Sequence, residues 1–246
     1  MKVAIFPCNY IFIYTFKSFT PSYQPKETLQ QQLITSLQNV SPAVVQIMAE
    51  DITMYYQEDK YQNGLDNQNL QKKGNGIIIS TKWYILTNNH VIDSPDLKYT
   101  IVTNDNKYFV VKKIWKDEIL DLAILLVDDQ NLPTQANFID IDTPLEIGTF
   151  VFALGNPFSE YPNTASFGIL SGKWRKITTS WSTNYYGWLY QTDVALNPGN
   201  SWWPLANLSW KIVGIITAIS RWGNNIWFAL PLNKDFITNL INNLEK

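Results

Sequence analysis

The sequence has little cysteine and little charge, and each shortage excludes a class of protein. Its 246 residues include a single cysteine, so no disulfide within the chain can hold the fold together. Charged residues make up 16%, the net charge is −2 and no long basic segment occurs, so no nucleic-acid partner is expected. Apolar residues make up 46%, which is enough for a core and too much for a disordered chain. The fold must therefore rest on its hydrophobic core.

The first sixteen residues resemble an export signal. Lys2 precedes a mostly apolar stretch over residues 3–16, as in the charged start and apolar segment of such signals. Pro7 and Asn9 interrupt the stretch, no small-residue cleavage site follows, and the stretch is short for a membrane span. We expect export to the bacterial periplasm or anchoring of the N-terminus at the membrane, and we interpret Cys8 as incidental.

Short apolar runs separated by turn residues dominate the rest of the chain. Helical patterns over residues 26–40 and 232–245 predict one helix near each end. The polar stretch 57–73 predicts a loop. Many short strands at this spacing favour an all-β sandwich or barrel, and no internal repeat is visible. The predicted strands cover residues 43–48, 76–79, 84–87, 99–103, 108–114, 122–127, 150–154, 167–171, 189–192, 212–219 and 226–230.

Three polar residues carry the chemistry that the sequence suggests. His90 is the only histidine and lies in TNNHVID, Asp121 opens the apolar run DLAILLV, and Ser201 lies in the turn-forming segment NPGNS. Each alone is more often structural: a packed histidine, a strand cap and a turn serine. Together they can form a nucleophilic site, because a serine hydroxyl needs an adjacent base and that base needs an orienting carboxylate. Gly199 and its neighbours can supply N–H groups to a developing oxyanion.

Several motifs resemble those of HtrA/DegP-type serine proteases, which have the chymotrypsin-like fold. They are GNGIIIS, TNNHVID, DLAILLV, ALGNPF, QTDVALNPGNS and GIITAI, in that order. The resemblance covers about residues 40–232 and implies two six-stranded antiparallel β-barrels with the active site between them, roughly residues 41–135 and 140–232. Residues 1–40 would be a separate N-terminal segment with a helix, and the chain ends too soon for an additional peptide-binding domain.

The resemblance also implies roles for individual residues. His90 would be the general base, Asp121 its orienting group and Ser201 the nucleophile, and no metal or other cofactor is expected. The N–H groups of Gly199, Asn200 and Ser201 would form the oxyanion hole. A substrate pocket would be lined by Ala195, Leu196, Ile215, Ile216 and Thr217.

The substrates implied by the resemblance are unfolded or damaged proteins. Ala195 lies six residues before Ser201, at the base of the pocket, and provides no carboxylate to pair with a lysine or arginine of the substrate. We therefore predict cleavage after small or medium aliphatic residues. The family further suggests a homotrimer built through N-terminal aromatic residues, for which Tyr10, Phe12, Tyr14 and Phe16 are the candidates.

One departure from the family pattern leaves a second function open. Trp202 and Trp203 follow the serine where the family has two glycines, and two indoles would crowd a tight turn. The alternative to an active protease is a protease-fold protein that binds unfolded chains without cutting them. A third reading, an unrelated β-rich domain with coincidental motifs, is disfavoured by the number and order of the motifs.

The tryptophans themselves suggest an explanation. The chain has 10, and Trp83, Trp115, Trp188, Trp202, Trp203, Trp210, Trp222 and Trp227 lie in turns, beside glycines or at family glycine positions. The codon UGA is read as glycine in some bacterial lineages and as tryptophan in others. The 17 lysines against 2 arginines indicate AT-rich coding, in which such reassignments tend to occur. We predict that most of these tryptophans are glycines in the natural protein.

Overall fold

The fold consists of two closed six-stranded antiparallel barrels with one helix near each end of the described chain. The computed structural model describes residues 27–51, 71–80, 82–92, 94, 96–127, 132–155, 164–178, 185–196, 203–220 and 225–245. The helices are α1 (Leu29–Val40) and α2 (Lys234–Leu244). This architecture confirms the predicted all-β class and its two barrels.

Barrel 1 contains β1 to β6 and barrel 2 contains β7 to β12. The strands of barrel 1 are β1 (Val44–Asp51), β2 (Gln71–Ser80), β3 (Tyr84–Thr87), β4 (Leu97–Val102), β5 (Tyr108–Asp117) and β6 (Leu122–Val127). Those of barrel 2 are β7 (Phe150–Gly155), β8 (Thr164–Thr178), β9 (Tyr185–Thr192), β10 (Pro204–Asn207), β11 (Ile212–Ile219) and β12 (Trp227–Pro231).

The two barrels repeat the same strand order. Barrel 1 runs β1-β2-β3-β6-β5-β4 and closes between β4 and β1, and barrel 2 runs β7-β8-β9-β12-β11-β10 and closes between β10 and β7. Each position in barrel 1 therefore has a topological equivalent in barrel 2. The sequence gives no visible sign of this repeat, because the packing of each strand depends on apolar character and not on particular residues.

The buried side chains form three clusters that explain why two barrels and two helices make one body. One cluster fills barrel 1 around Ile47, Ile85 and Leu125, and another fills barrel 2 around Val151 and Leu205. The third cluster lies between the barrels and takes side chains from both of them and from the helices. This third cluster fixes the barrels relative to each other, which matters because the candidate site lies where they meet.

Both helices begin at residues that suit a helix N-terminus. The Thr28 side chain accepts from the Gln31 N–H, and the Gln31 side chain accepts from the Thr28 N–H, so α1 has a complete capping box. At α2 the Asn233 side chain accepts from the Phe236 N–H at 2.8 Å. The apolar face of α2 contributes Ile237 to the cluster between the barrels.

The structure differs from the prediction at several strands, and the largest difference is β8, which covers Thr164–Thr178 where the sequence predicts 167–171. The short strand β10 was not predicted, because its sequence PLAN lacks an alternating apolar pattern. Residues 71–73 belong to β2 although the sequence places them in a loop, and the rest of that loop, like the signal-like residues 1–16 and Cys8, lies outside the described residues. Within the described part of the chain, no helix is long and apolar enough to span a membrane.

Four of the described tryptophans have left-handed backbone conformation. They are Trp83, Trp174, Trp188 and Trp210, with φ between 61° and 70°. A positive φ is a genuine outlier for a bulky residue, because the side chain then lies too close to the backbone. Glycine adopts this conformation without steric cost, so these four positions are ones that the fold would fill best with glycine.

Candidate active site

His90 lies directly after β3, at the boundary between the barrels. β3 ends at Thr87, and a short 3-10 helix over Asn89–Val91 follows it. The side chain of His90 is 48% exposed, so part of its imidazole is accessible to solvent. The apolar strand is buried, and its end brings the only histidine of the chain to the surface of the barrel.

Asp121 lies opposite, where the chain enters β6. The Asp117 side chain accepts from the N–H groups of Ile119 and Leu120, each at 2.9 Å, which shapes the turn before the strand. Asp121 itself has a left-handed backbone with φ of 52°, which aspartate tolerates better than most residues. Its carbonyl oxygen accepts from the Asn89 N–H at 3.0 Å, so the backbones of the two segments are joined.

The structure brings His90 and Asp121 into direct contact. The distances from the His90 Nδ1 to the Asp121 Oδ1 and Oδ2 are 2.9 and 2.8 Å. The backbone N–H of His90 also donates to the Asp121 Oδ1 at 3.1 Å. The aspartate side chain is only 11% exposed, so little water competes for its oxygens. Donation from Nδ1–H leaves Nε2 of a neutral imidazole unprotonated, which is the state that a general base requires.

The remaining catalytic candidates cannot be placed against this pair. Ser201, Gly199 and Asn200 lie outside the described residues, in the segment between β9 and β10. Their assignment as nucleophile and oxyanion hole stays a prediction. The described chain resumes at Trp203, which leads into β10 of barrel 2. The predicted nucleophile therefore precedes a strand of barrel 2 in the sequence, whereas the histidine and the aspartate belong to barrel 1.

Trp203, two residues after the predicted nucleophile, is in an unfavourable environment. Its side chain is 1% exposed, and its indole Nε1 has no hydrogen-bond partner within the described residues. The indole lies so close to Gly155 that a Cβ on that glycine would be 2.2 Å from Nε1. A buried indole usually finds a partner for its N–H group, so this position suits tryptophan poorly.

The five residues predicted to line a substrate pocket have different surroundings. Ala195 is exposed, whereas Leu196, Ile215 and Ile216 are buried in the core clusters. Thr217 is partly buried, and its hydroxyl faces Asp121 at 3.5 Å. The pocket stays a prediction, and of the five residues Ala195 offers the most accessible side chain.

Asn88 was missed by the sequence reasoning. Its amide nitrogen donates to the Asp121 Oδ2 at 3.2 Å and to the Thr217 Oγ1 at 3.3 Å. The signal that could have found it is a polar residue between the apolar run YILT and His90, at a position where a strand would bury it. The partner Thr217 could not have been found in this way, since it lies 129 residues further along the chain.

Comparison with known proteins places this arrangement among proteases. The model of the family described as "Trypsin-like peptidase domain" matches residues 74–215. A probable periplasmic serine protease, do/HhoA-like, of Haemophilus influenzae is 36% identical over 230 residues, which cover 83% of this chain and 48% of the relative. A probable periplasmic serine endoprotease, DegP-like, of Rhizobium meliloti is 39% identical over 174 residues, covering 69% of this chain and 33% of the relative.

A solved structure shares the architecture. The HtrA-type protease AlgW with a tripeptide superimposes with a TM-score of 0.66 at 27% sequence identity, covering 86% of this chain and 62% of that chain. The chain spans less than half of the length of these two curated relatives. The similarity therefore concerns the two-barrel part of these proteins.

Proposed function

Because the chain belongs to the trypsin-like peptidase family, and within it resembles the HtrA/DegP type, we propose that it is a serine endopeptidase of protein quality control. Its substrates would be unfolded or damaged proteins, and residues 41–246 would form the protease domain. The observation that carries the proposal is the contact of the sole histidine with a buried aspartate, at 2.8 Å, where the two barrels meet.

The proposed reaction uses three side chains in named roles. Ser201 attacks the carbonyl carbon of the scissile peptide bond while the His90 Nε2 takes the hydroxyl proton. Asp121 holds the imidazole and stabilises the imidazolium that forms, and His90 then gives the proton to the leaving amine. The N–H groups of Gly199, Asn200 and Ser201 would stabilise the oxyanion. Water releases the acyl group by the same steps in reverse order.

The buried position of Asp121 supports this assignment over a structural ion pair. A carboxylate taken out of water is costly unless it is paired and hydrogen-bonded, and here both of its oxygens have donors. The imidazole is half-exposed, as a group that exchanges protons with a substrate must be. A pair whose only role was stability would gain little from an accessible histidine.

The proposal extends to the location of the protein. The curated relatives are named periplasmic, which supports export of this chain to the periplasm. Membrane anchoring through residues 1–16 and a homotrimer formed through N-terminal aromatic residues remain predictions, since those residues lie outside the described structure.

Hydrolysis of unfolded casein tests the proposed function. The full chain should degrade casein, and a serine-reactive inhibitor should abolish the degradation and become bound to the protein. A chain that suppresses the aggregation of unfolded casein without cutting it would contradict the proposal and favour the alternative, a protease-fold protein that only binds unfolded chains. The Ser201→Ala variant is the control for contaminating proteases.

A further inference from the structure

Asn88 is a fully buried polar residue between the two barrels. It follows the last residue of β3 and precedes the short helix that carries His90. Its amide nitrogen has two hydrogen-bond partners, the Oδ2 of Asp121 at 3.2 Å and the Oγ1 of Thr217 at 3.3 Å. Asp121 belongs to barrel 1 and Thr217 to β11 of barrel 2, so this one amide group connects the carboxylate to the opposite barrel.

The amide oxygen of the Asn88 side chain is in an unfavourable environment. The Oδ1 of Asn88 is buried and has no hydrogen-bond partner within the described residues. Leaving a buried acceptor unpaired costs free energy, so stability alone does not explain an asparagine here. The Oδ1 of Asn89 is likewise buried and unpaired within the described residues, so the unpaired oxygen does not by itself distinguish Asn88. What distinguishes Asn88 is that its amide nitrogen contacts Asp121 and Thr217.

The two oxygens of Asp121 are held in different ways. Oδ1 accepts from the backbone N–H of His90, which moves together with the imidazole. Both oxygens contact the His90 Nδ1, but Oδ2 also accepts from Asn88 and from the Thr217 hydroxyl, neither of which is part of the histidine. Of these donors, only Asn88 and Thr217 can fix the plane of the Asp121 carboxylate independently of His90. The Asn88 amide nitrogen, at 3.2 Å, is closer to Oδ2 than the Thr217 hydroxyl, at 3.5 Å.

We propose that Asn88 is a positioning residue: its amide group holds the Asp121 carboxylate against His90 and ties it to Thr217 of barrel 2. The inference rests on the proposed function, since it assigns Asn88 a part in the same reaction. Asn88 touches no substrate and acts only through Asp121. It makes the orientation of the histidine depend on both barrels, since Asp121 belongs to barrel 1 and Thr217 to barrel 2.

The sole histidine gives the proposal a readout that does not require activity. A proton held between Nδ1 and a carboxylate resonates far downfield in the proton NMR spectrum, and in this chain such an imidazole signal can come only from His90. We expect this signal in the full unsubstituted chain. In Asn88→Ala we expect it to broaden or disappear, because the freed carboxylate no longer protects the proton from exchange with water.

Kinetics provide the second readout. We expect Asn88→Ala to lower kcat on casein-derived peptides by about 10- to 100-fold with KM nearly unchanged, since a misplaced catalytic group lowers the rate but not substrate binding. Asn89→Ala is the matched control: it removes the same kind of side chain one residue later, and the Asn89 backbone bond to Asp121 does not involve that side chain. This control should retain both the signal and kcat.

The outcomes separate this inference from the proposed function. An unchanged downfield signal in a folded Asn88→Ala chain overturns the positioning role, and so does a loss of equal size in Asn89→Ala. If Asn88→Ala does not fold, Thr217→Val tests the other end of the bridge: a weakened signal that Thr217→Ser restores supports the inference, and an intact signal overturns it. A chain that shows the signal but cuts no casein contradicts the proposed function, while the NMR comparison still decides the role of Asn88.

Discussion

Two turns occupy equivalent positions in the two barrels and have the same hydrogen bonds. One joins β4 to β5 in barrel 1, and the other joins β10 to β11 in barrel 2. In barrel 1 the Thr103 N–H donates to the Lys107 carbonyl at 3.0 Å, and the Asn106 N–H donates to the Thr103 carbonyl at 2.9 Å. Asn106 has a φ of 58°. Asparagine is one of the few residues that adopt this conformation readily, so sequence and geometry agree here.

In barrel 2 the same turn contains a residue that does not suit it. The Asn207 N–H donates to the Lys211 carbonyl at 3.0 Å, and the Trp210 N–H donates to the Asn207 carbonyl at 3.1 Å. Trp210 has a φ of 62° and occupies the position of Asn106. Trp83, at the turn between β2 and β3, has the same i to i+3 hydrogen bond, from its N–H to the Ser80 carbonyl at 3.1 Å, and a φ of 70°.

The difference teaches that the fold determines the backbone conformation of these turns. The residue type at position i+3, which is Asn106, Trp210 or Trp83, does not determine it. A tryptophan there pays the steric cost that asparagine largely avoids and glycine avoids completely. The observation supports the prediction that most tryptophans of this chain are glycines in the natural protein. Trp115 differs: it is half-buried in β5, lacks a left-handed backbone and packs edge-on against Tyr84 with ring centroids 6.0 Å apart.

The largest expected effect on hydrolysis comes from removing the catalytic side chain that each barrel is proposed to contribute. His90→Ala removes the proposed base, which belongs to barrel 1, and Ser201→Ala removes the proposed nucleophile, which precedes β10 of barrel 2 in the sequence. Each should lower kcat/KM by roughly 10⁴-fold or more, and the double variant should be no worse, because a triad acts as a unit. Peptide hydrolysis and circular dichroism check this, and a folded His90→Ala chain with unchanged kcat/KM would show the assignment to be wrong.

A smaller effect should come from the tryptophans that follow the serine. We expect Trp202→Gly combined with Trp203→Gly to raise kcat/KM by about 10²- to 10³-fold, the range associated with an oxyanion-hole donor, because glycines permit the tight turn. Trp115→Gly in barrel 1 should give no such gain and serves as the control. A folded double variant without increased hydrolysis would favour the binding-protein alternative. UGG codons at positions 202, 203, 210 and 227 in the gene would refute the recoding hypothesis directly.

The pocket of barrel 2 should determine which bonds are cut. Ala195 offers no carboxylate, and burying an unpaired substrate cation is costly, so we expect a preference of about 100-fold for valine, alanine or isoleucine over lysine or arginine before the scissile bond. Profiling with a peptide library measures the preference. Ala195→Asp is the converse variant and should increase cleavage after lysine and arginine. A dominant preference for basic residues in the unsubstituted chain would contradict the pocket assignment.

The smallest expected effect is a change in the free energy of unfolding caused by substitutions in the two equivalent turns. Trp210→Gly should raise the free energy of unfolding by about 1 kcal/mol, since it removes the strain of a left-handed tryptophan. Asn106→Gly should change it by no more than about 0.5 kcal/mol, because asparagine already tolerates the conformation. Urea denaturation of both variants makes the comparison. If Trp210→Gly lowered the free energy of unfolding, the interpretation of these turns would be incorrect.

The sequence predicts those strands that are apolar runs between turn residues. It does not predict the elements and contacts that depend on tertiary packing. β3 and β6 have the predicted bounds, because each is a short apolar run between turn residues. β10 was missed since its four residues gain their strand conformation from pairing with β7 and β11. His90 and Asp121 could be paired through the motifs, whereas the contact of Asn88 with Thr217 depends on how the barrels meet, which no local pattern encodes.

The closure of both barrels has a consequence if the protein acts on unfolded chains, as proposed. Each described strand has a hydrogen-bonded neighbour on both sides, because β1 pairs with β4 and β7 pairs with β10. Open sheet edges attract extended segments of other chains and promote aggregation, and barrels remove such edges. We therefore expect the folded protein to stay dispersed when misfolded polypeptides accumulate around it, a condition under which a protein with an exposed edge strand would be drawn into the aggregates.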